Sequence, residues 1–404
     1  MTNSKLVYLD NNATTKTDEK VVEAMLPYFS QYYGNPSSMY EFGGKTAKAI
    51  KEARDKVRDF FGAKNEKEIF FTASGSECAN MAIRGYLSSK NAEGKRKIIT
   101  TRVEHACVLN LYKQLEKEGY DIKFIGVNSR GELNKEELYS ELTEDTALVA
   151  CMYANNETGA IFPVEEIAER VKEFNPEIKV YVDAVQAAGK IPLNVQDTKI
   201  DMMGVSGHKF HAPKGIGALY VNSSTMIEPL ILGGHQERGK RAGTENVPYI
   251  VGIAQAAQMA KDALKYENSE VKRLRDKLET GLLKSVFNAR LNSLAENRVP
   301  NTTNIGFEYI EGELILLNMD EFGICASSGS ACTSGSLDPS HVLKAMGVPF
   351  TALHGSIRFS LSRYTTEADI DYTLEHMPVI IEKLAKISPF QKELSDLKKQ
   401  KGIV

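Results

Sequence analysis

A lysine and an aspartate follow two apolar runs that lie about one supersecondary unit apart. Lys209 comes after Val205–Gly207 and His208, and Asp183 comes directly after Tyr181–Val182. Taken alone, such residues are more often a surface lysine and a helix cap. As a pair, an amine can form a Schiff base while a carboxylate keeps a pyridine nitrogen protonated. The pair therefore predicts a site for pyridoxal phosphate (PLP), whose ring needs both groups to accept electrons.

A phosphate-binding turn is predicted at Thr72–Glu77, which follows an apolar run and opens an amphipathic segment. Phosphate groups bind to backbone N–H donors, hydroxyls and helix N-termini. Gly75 lets the backbone approach closely, and Ser76 offers a hydroxyl. The alternative is an ordinary strand-to-helix turn with a capping box formed by Ser74 and Glu77.

More polar residues follow two other predicted strands. His105 lies just past Lys97–Thr101, where its imidazole could lie against a cofactor ring and carry protons at neutral pH. Asn155 and Asn156 follow Ala147–Met152 in the same way. The alternatives are a solvent-facing histidine at a helix start and a pair of turn asparagines. All three residues lie on the sheet edge where we expect a ligand.

Cys332 lies in Ala326–Ser336, a segment of eleven residues without a bulky side chain. Such a segment cannot form a core, so we expect the thiol on an exposed loop. Free cysteines are normally buried, and an exposed one indicates nucleophilic or redox chemistry. We assign the other cysteines to packing: Cys78, Cys107, Cys151 and Cys325. None forms a C-x-x-C pair, so neither a disulfide scaffold nor a metal site is expected.

Arg358 lies inside the strand-like alternation of Ser356–Ser360. Its guanidinium group can bind a carboxylate through two parallel hydrogen bonds. The alternation places Arg358 on the face opposite Ile357 and Phe359, which leaves it available to a pocket. A surface arginine is the alternative, and Arg363 is a competing candidate.

The order of the predicted elements favours an α/β fold with a mostly parallel sheet flanked by helices. Apolar runs of strand length alternate with helix-period segments over the first half of the chain. The predicted strands are Ile69–Phe71, Lys97–Thr101, Lys123–Val127, Ala147–Met152, Lys179–Val182, Met202–Val205 and Ala218–Val221. The predicted helices are Gly44–Phe61, Glu104–Glu118 and Val164–Phe174. Ligands bind such sheets at the carboxyl ends of the strands.

The pattern changes near residue 250, where two long helical stretches are followed by isolated strands and a charged helical tail. These elements are Val251–Tyr266, Glu270–Phe287, Thr303–Phe307, Ser356–Ser360 and a helix from Glu367 onward. We predict a large PLP-binding α/β domain at 16–250. A smaller α+β domain would combine 1–15 with 251–404 and carry the cysteine loop.

Size and composition favour small-molecule chemistry. A chain of 404 residues can bury a large core, and 42% hydrophobic with 25% charged residues is ordinary for a soluble globular protein. A net charge of -3 gives no reason to expect nucleic acid or a membrane as a general partner. We expect neither a signal peptide nor a membrane span, and the unpaired cysteines favour a reducing cytoplasm.

Together these motifs resemble the class I cysteine desulfurases of the NifS/IscS type. Those enzymes have the PLP-dependent transferase fold of type I, which is aspartate-aminotransferase-like. Further matching segments are Tyr8–Thr15, Gly34–Ser38 and Gly233–Asn246, so the resemblance covers nearly the whole chain. The long small-residue loop around Cys332 resembles class I more than class II.

The resemblance implies a role for each site residue. Lys209 would carry the cofactor as a Schiff base, Asp183 would pair with the pyridinium, and Gln186 would hydrogen-bond the ring hydroxyl. His105 would stack on the ring, with Asn155 near the ring and the substrate. The phosphate would be held by Gly75, Ser76, Ser206 and His208, and Thr244 would reach the phosphate of the partner subunit in a homodimer.

The implied reaction converts L-cysteine to L-alanine and leaves a persulfide on Cys332. Arg358 would bind the substrate carboxylate, and Lys209 would remove the Cα proton. The sulfur would pass to an iron–sulfur scaffold or another acceptor protein; the motifs do not distinguish nitrogenase-type from general assembly. Two other functions stay open. One is an aminotransferase or another lyase that does not need Cys332, and the other is an interaction protein without catalysis.

Overall fold

The computed structural model of the chain describes residues 5–294, 296–328 and 339–401. Cys332 and most of its small-residue loop lie outside these described residues. Within them, no helix is long and apolar enough to cross a membrane. The same residues include no group of His, Cys, Asp and Glu side chains that could hold a metal ion.

The strands and helices alternate along the first half of the chain, as predicted. The strands are β1 (Val7–Tyr8), β2 (Ile69–Thr72), β3 (Lys97–Thr101), β4 (Asp121–Ile125), β5 (Thr146–Met152), β6 (Lys179–Asp183), β7 (Met202–Ser206), β8 (Gly217–Val221), β9 (Ala289–Leu291), β10 (Thr302–Phe307), β11 (Ile324–Cys325), β12 (Ser327–Ser328) and β13 (Ser356–Ser360). The helices are α1 (Glu19–Met25), α2 (Pro27–Ser30), α3 (Glu41–Phe61), α4 (Gly75–Leu87), α5 (Ala106–Lys117), α6 (Lys135–Ser140), α7 (Val164–Phe174), α8 (Val247–Tyr266), α9 (Lys272–Ser285), α10 (Gly312–Glu321), α11 (His341–Ala345), α12 (Phe350–Leu353), α13 (Glu367–Ala385) and α14 (Gln391–Gln400).

The larger sheet in the described part of the chain has seven strands in the order β2-β8-β7-β6-β5-β3-β4. Only β8 runs antiparallel to its neighbours. Helices cover both faces: α3, α7 and α8 pack on one side, and α4 and α5 pack on the other. Side chains therefore alternate between two cores, with Val180 and Val182 in the first and Tyr181 in the second. This arrangement confirms the predicted mostly parallel α/β sheet.

The strand expected at Lys123–Val127 is observed at Asp121–Ile125 instead. It ends at Ile125 because the next residue leaves the sheet, where the Gly126 N–H donates to the Glu137 carboxylate at 3.1 Å. The apolar run continues past this point, so the sequence pattern alone extends the strand too far.

A second, antiparallel sheet has the order β12-β13-β10-β9 and its own core. The N-terminal segment joins this half of the molecule, because β1 pairs with β11 and Asp10 bridges to Ser360 at the end of β13. Helix α8 spans the predicted boundary at residue 250, and its buried side chains as far as Ala260 belong to the core of the larger sheet. The division into two domains at that boundary stays a prediction.

Candidate active site

The carboxyl ends of the parallel strands bring predicted site residues to one edge of the larger sheet. Asp183 and Ser206 end β6 and β7, while Gly75, His105 and Asn155 lie in the segments after β2, β3 and β5. Residues that are far apart in sequence therefore share one region, as the strand order predicts.

Asp183 presents a buried carboxylate at the end of β6. Its Oδ1 accepts a hydrogen bond from the Val185 N–H at 3.0 Å. Burial raises the pKa of Asp183 to about 6, while that hydrogen bond and the nearby charge of Lys209 oppose the shift. A buried carboxylate in this state is stabilised by a cation, which fits the pyridinium of PLP.

Lys209 ends a short 3-10 turn, Gly207–Lys209, that follows β7. Its Nζ donates to the carbonyl oxygens of Asn12 and Ala13, both at 2.7 Å. The Asn12 carbonyl also accepts from Nε2 of Gln186 at 2.9 Å. The amine, the carboxamide and the N-terminal segment are thus joined at one backbone oxygen.

The turn after β2 is packed too closely to admit a side chain at Gly75. A Cβ there would lie 2.9 Å from Cγ2 of Val185 and 3.3 Å from Cβ of Ser206. Gly75 begins α4, and the first N–H groups of a helix have no partner within that helix. This close approach of a helix N-terminus to Ser206 has the form of a phosphate-binding turn.

The capping-box interpretation of this turn is half right. The Ser74 hydroxyl accepts from the Glu77 N–H at 3.1 Å, as a cap should. The Glu77 carboxylate, however, accepts from the N–H of Ala73 instead of Ser74, and it pairs with Arg241 at 2.8 Å. Glu77 therefore ties the turn to the loop that carries Thr244.

Ser76 and His208 are two further residues predicted to bind the phosphate, and each has a partner within the site. Ser76 interacts with the thiol of Cys107, and Nδ1 of His208 lies 3.1 Å from the Thr14 hydroxyl. Burial and nearby lysines, Lys209 first, lower the pKa of His208 to about 4. The imidazole is therefore neutral at pH 7 and can donate a single hydrogen bond to an anion.

His105 caps the N-terminus of α5, which begins at Ala106 and not at Glu104 as predicted. Its Nδ1 accepts from the Cys107 N–H at 3.2 Å, so Nε2 carries the proton of the neutral ring. The ring keeps an exposed edge, but the surrounding protein desolvates it and lowers its pKa, and Lys209 adds to the effect. A neutral ring at this place fits the predicted stacking on the cofactor.

Glu104 delays the start of α5 because its side chain is buried beneath the site. Its Oε1 accepts from the Thr101 hydroxyl and from the Met152 N–H, both at 2.8 Å. Burial raises the pKa of Glu104 to about 8, and Asp183 adds to that rise. The carboxyl group therefore links the ends of β3 and β5.

Asn155 organises the loop after β5 through its side chain. Its Oδ1 accepts from the N–H groups of Glu157 and Thr158 at 2.9 and 3.0 Å. Its Nδ2 donates to the carbonyl of Val103 at 3.2 Å. These contacts match the turn interpretation, and a contact with cofactor or substrate stays a prediction.

Arg358 is buried on β13 and held by the N-terminal segment. Its Nη2 forms an ion pair with Asp10 at 2.8 Å, and its Nη1 donates to the Asn156 carbonyl at 3.1 Å. Its Nε is buried without a hydrogen-bond partner among the described residues. The guanidinium group is therefore oriented and still has a donor to offer, as a carboxylate site requires.

The competing arginine, Arg363, is partly buried and lines a small cavity together with Lys190, Lys209 and Glu267. Its Nη2 lies 3.9 Å from Asp18.

Two predicted site residues, Thr244 and Cys332, make none of the contacts given above. Thr244 is exposed on the loop that the pair of Arg241 and Glu77 holds against the phosphate turn. Cys332 lies outside the described residues, but both neighbouring segments end at the site. Ser327 pairs with Arg358 across β12 and β13, and Nε2 of His341 lies 3.0 Å from the Glu104 carbonyl.

Known proteins that are similar to this chain over nearly its whole length include several cysteine desulfurases. The profile of the aminotransferase class-V family matches residues 7–373. A cysteine desulfurase from Nostoc sp. is 58% identical over 388 residues, which cover 96% of both chains. Cysteine desulfurase NifS from Azotobacter vinelandii is 50% identical, covering 95% of this chain and 94% of its own. A solved NifS-like protein has a TM-score of 0.89 at 40% identity, covering 94% of this chain and 100% of its own.

The chain belongs to the cysteine desulfurase family. Family membership confirms the fold of type I and the PLP cofactor that the sequence motifs predicted. The residues at the sheet edge fit that cofactor in three respects: the buried Asp183 carboxylate, the turn at Gly75 that excludes a Cβ, and the amine of Lys209.

Several residues of this desulfurase site were not found by sequence reasoning. Asp10 orients Arg358, and Asn12 joins Lys209 to Gln186 through a backbone oxygen. Asp10 belongs to a motif that the sequence analysis noted without assigning a role. The contribution of Asn12 is a carbonyl group, which leaves no side-chain signal.

Proposed function

We propose that this chain converts L-cysteine to L-alanine and holds the released sulfur as a persulfide on Cys332. The observation that carries the proposal is the placement of Asp183 and Lys209 at the ends of the adjacent strands β6 and β7, close enough for the lysine to influence the carboxyl pKa. When bound, PLP supplies an electron sink for the bond changes at the substrate Cα.

The described side chains supply binding and proton transfer. Arg358 binds the substrate carboxylate, because Asp10 fixes its guanidinium plane and its Nε remains available. Lys209 would hold the cofactor, and its amine would be the base that takes the Cα proton. His105 carries its proton on Nε2, where it can donate to a developing charge.

The sulfur-transfer step uses the thiolate of Cys332. It attacks the substrate sulfur and forms an S–S bond, while the C–S bond breaks and its electron pair stays with carbon. Protonation of that carbon gives alanine. Cys332 lies four residues from Ser328, and four residues span at most about 14 Å. Strand β12, which ends at Ser328, pairs with β13 beside Arg358, so the segment that carries Cys332 follows directly from the proposed substrate site.

The biological setting is part of the same proposal. Thr244 on its exposed loop would contact the cofactor phosphate of a second copy in a homodimer. A persulfide transfers sulfur to another thiolate, so the acceptor is an iron–sulfur scaffold or another thiol-bearing sulfur carrier. A nucleophilic thiol must stay reduced, which favours action in the cytoplasm.

Purified enzyme and cysteine test the function directly. We expect alanine and, with a reductant, sulfide in equal amounts. Cys332→Ser should keep bound PLP but form no persulfide, whereas the control Cys325→Ser should keep activity, since Cys325 lies in the pair β1–β11. Wild-type turnover by Cys332→Ser, or turnover that needs a keto acid, would contradict the proposal.

A further inference from the structure

The buried lysine behind the candidate cofactor site is Lys190, to which no role has been assigned so far. It lies four residues after Gln186, and its side chain is buried, with 6% exposed. Its Nζ donates to Oε1 of Gln186 at 3.2 Å. The backbone at Lys190 is fixed as well, because Asn268 donates to its carbonyl oxygen at 2.9 Å.

We propose that Lys190 is a positioning residue that holds the carboxamide of Gln186 with its NH2 group toward the PLP ring oxygen. The inference rests on the proposed function, since Gln186 is placed at the ring hydroxyl by the family resemblance. It adds a residue that touches neither cofactor nor substrate.

The orientation of the carboxamide follows from its two neighbours. The Nζ of Lys190 donates to the oxygen of Gln186, and in its ammonium form it has no lone pair with which to accept from the nitrogen. The carbonyl of Asn12 can only accept, so it must face the nitrogen, at 2.9 Å. Nε2 carries two hydrogens, and Asn12 takes one of them. The second hydrogen of Nε2 is available to an oxygen of the PLP ring. That ring would lie beside Lys209, whose Nζ donates to the same Asn12 carbonyl.

The surroundings of Lys190 hold its amine in place. Glu267 and Arg363 line the same cavity as Lys190 and Lys209, and its volume of about 20 Å³ leaves room for about one water molecule. Glu267 begins a π-helical turn, Glu267–Val271, between α8 and α9. Such turns are frequent at functional sites. Lys190 therefore shares a small cavity with Glu267 and Arg363, and its Nζ donates to Gln186.

The charges around the amine are finely balanced. Burial lowers the pKa of Lys190 to about 7, Glu267 opposes that shift, and Lys209 and Arg358 reinforce it. Burial also raises the pKa of Glu267 to about 7.

Removing Lys190 would leave the oxygen of Gln186 buried without a donor. An unsatisfied buried acceptor is costly, so the carboxamide would rotate to find another donor. Its oxygen would then compete for the position where Nε2 donates to the ring. The cofactor would lose a hydrogen bond, and the absorption of its conjugated ring would change.

The test compares PLP affinity and the absorption spectrum of bound PLP in wild type, Lys190→Met and Lys190→Arg. We expect about tenfold weaker affinity in Lys190→Met, the loss of one hydrogen bond, together with a shifted absorption maximum. Lys190→Arg keeps a donor and should restore much of both. Lys97→Met is the control, because Lys97 is also a buried lysine but lies at the start of β3, at the opposite end from His105.

A double variant separates positioning from a general structural effect. In a Gln186→Leu background, Lys190→Met should weaken PLP binding no further, because its target is gone. If Lys190→Met weakened PLP binding equally in the wild type and in Gln186→Leu, or left the spectrum unchanged, the role of Lys190 would be wrong. Neither result would affect the proposed function. A wild-type chain that takes up no PLP would overturn the proposed function as well. Thermal unfolding of each apoprotein identifies variants that fail to fold. If Lys190→Met fails to fold, PLP affinity and the spectrum are compared between the wild type and Lys190→Arg.

Discussion

Lys209 and Gln186 donate to the same acceptor, the backbone carbonyl oxygen of Asn12, at 2.7 and 2.9 Å. Asn12 in turn binds the smaller sheet, because its N–H donates to the hydroxyl of Ser360 and its side chain donates to Thr302. One residue of the N-terminal segment therefore joins the candidate cofactor residues to β10 and β13. Since Arg358 lies on β13 and pairs with Asp10, the candidate cofactor residues and the candidate substrate residue contact the same segment.

The turn at Gly75 gives the first prediction. Gly75→Ala would place a methyl group 2.9 Å from Val185 and 3.3 Å from Ser206. The turn would have to open to admit it, and the predicted phosphate site would widen as a result. We expect at least tenfold weaker PLP affinity, which equilibrium dialysis would measure. Gly44→Ala is the control, because a Cβ there meets nothing within 4 Å. That change in helix α3 should stabilise the protein by about 0.5–1 kcal/mol and leave PLP affinity unchanged. Equal affinities for both variants would contradict the prediction.

The sequence predicts structure well where local pattern and burial agree. β3 and α7 lie at their predicted bounds, because β3 is a short run that is buried throughout and α7 buries one face at helical spacing. The start of α5 was wrong for a physical reason. Glu104 has the sequence features of a polar first residue, but its carboxylate binds the N–H of Met152, which is 48 residues away. No local pattern contains that contact.

Within the site, too, contacts between residues far apart in sequence could not be predicted. Side chains such as Asp183 and Lys209 could be predicted because their chemistry depends on residue type and on strand ends. Asn12 acts through a carbonyl oxygen, which every residue has. Lys190 resembles any lysine after a helical turn until the fold buries it against Gln186. The described structure is needed for both.

The loop before Thr244 is held by a buried ion pair, which gives a prediction on stability. Glu237 accepts from both terminal nitrogens of Arg54 at 2.7 Å and from the N–H of Phe71 at 3.0 Å. Phe71 lies on β2, the edge strand of the larger sheet, so the pair also covers an open edge. Glu237 and its neighbour Arg238 have φ values of 44° and 57°, a left-handed conformation that is held by these contacts.

Glu237→Gln would leave the buried charge of Arg54 without its partner. We expect the free energy of unfolding to fall by about 3–5 kcal/mol, measured by urea denaturation. Asp59→Asn is the control, because Asp59 pairs with Arg58 at the surface with 54% of its side chain exposed, where a pair contributes about 0–1 kcal/mol. Similar losses in the two variants would show that the Glu237 pair does not hold the loop.

His211 makes the stability of the fold depend on pH. It is buried two residues after Lys209, its Nδ1 donates to the Lys16 carbonyl at 2.9 Å, and its ring contacts Tyr364. Burial, together with the charges of Arg363 and Lys190, lowers the pKa of His211 to about 3, although its hydrogen bond to Lys16 opposes the shift. The folded protein therefore keeps this imidazole neutral, whereas the unfolded chain takes up a proton below pH 6.5.

Acid consequently favours the unfolded chain through His211. As the pH falls from 7 to 5, the stability of the wild type relative to His211→Asn should decrease by about 2 kcal/mol, measured by urea denaturation at both pH values. Asparagine suits the left-handed backbone at this position, where φ is 72°, so the variant should fold. Taking the difference between the two proteins removes the effects of other titrating groups, such as Glu104 and Asp183. His235→Asn changes an exposed histidine and serves as the control. A difference between wild type and His211→Asn that stays constant from pH 7 to 5 would mean that the folded protein protonates His211 as readily as the unfolded chain does.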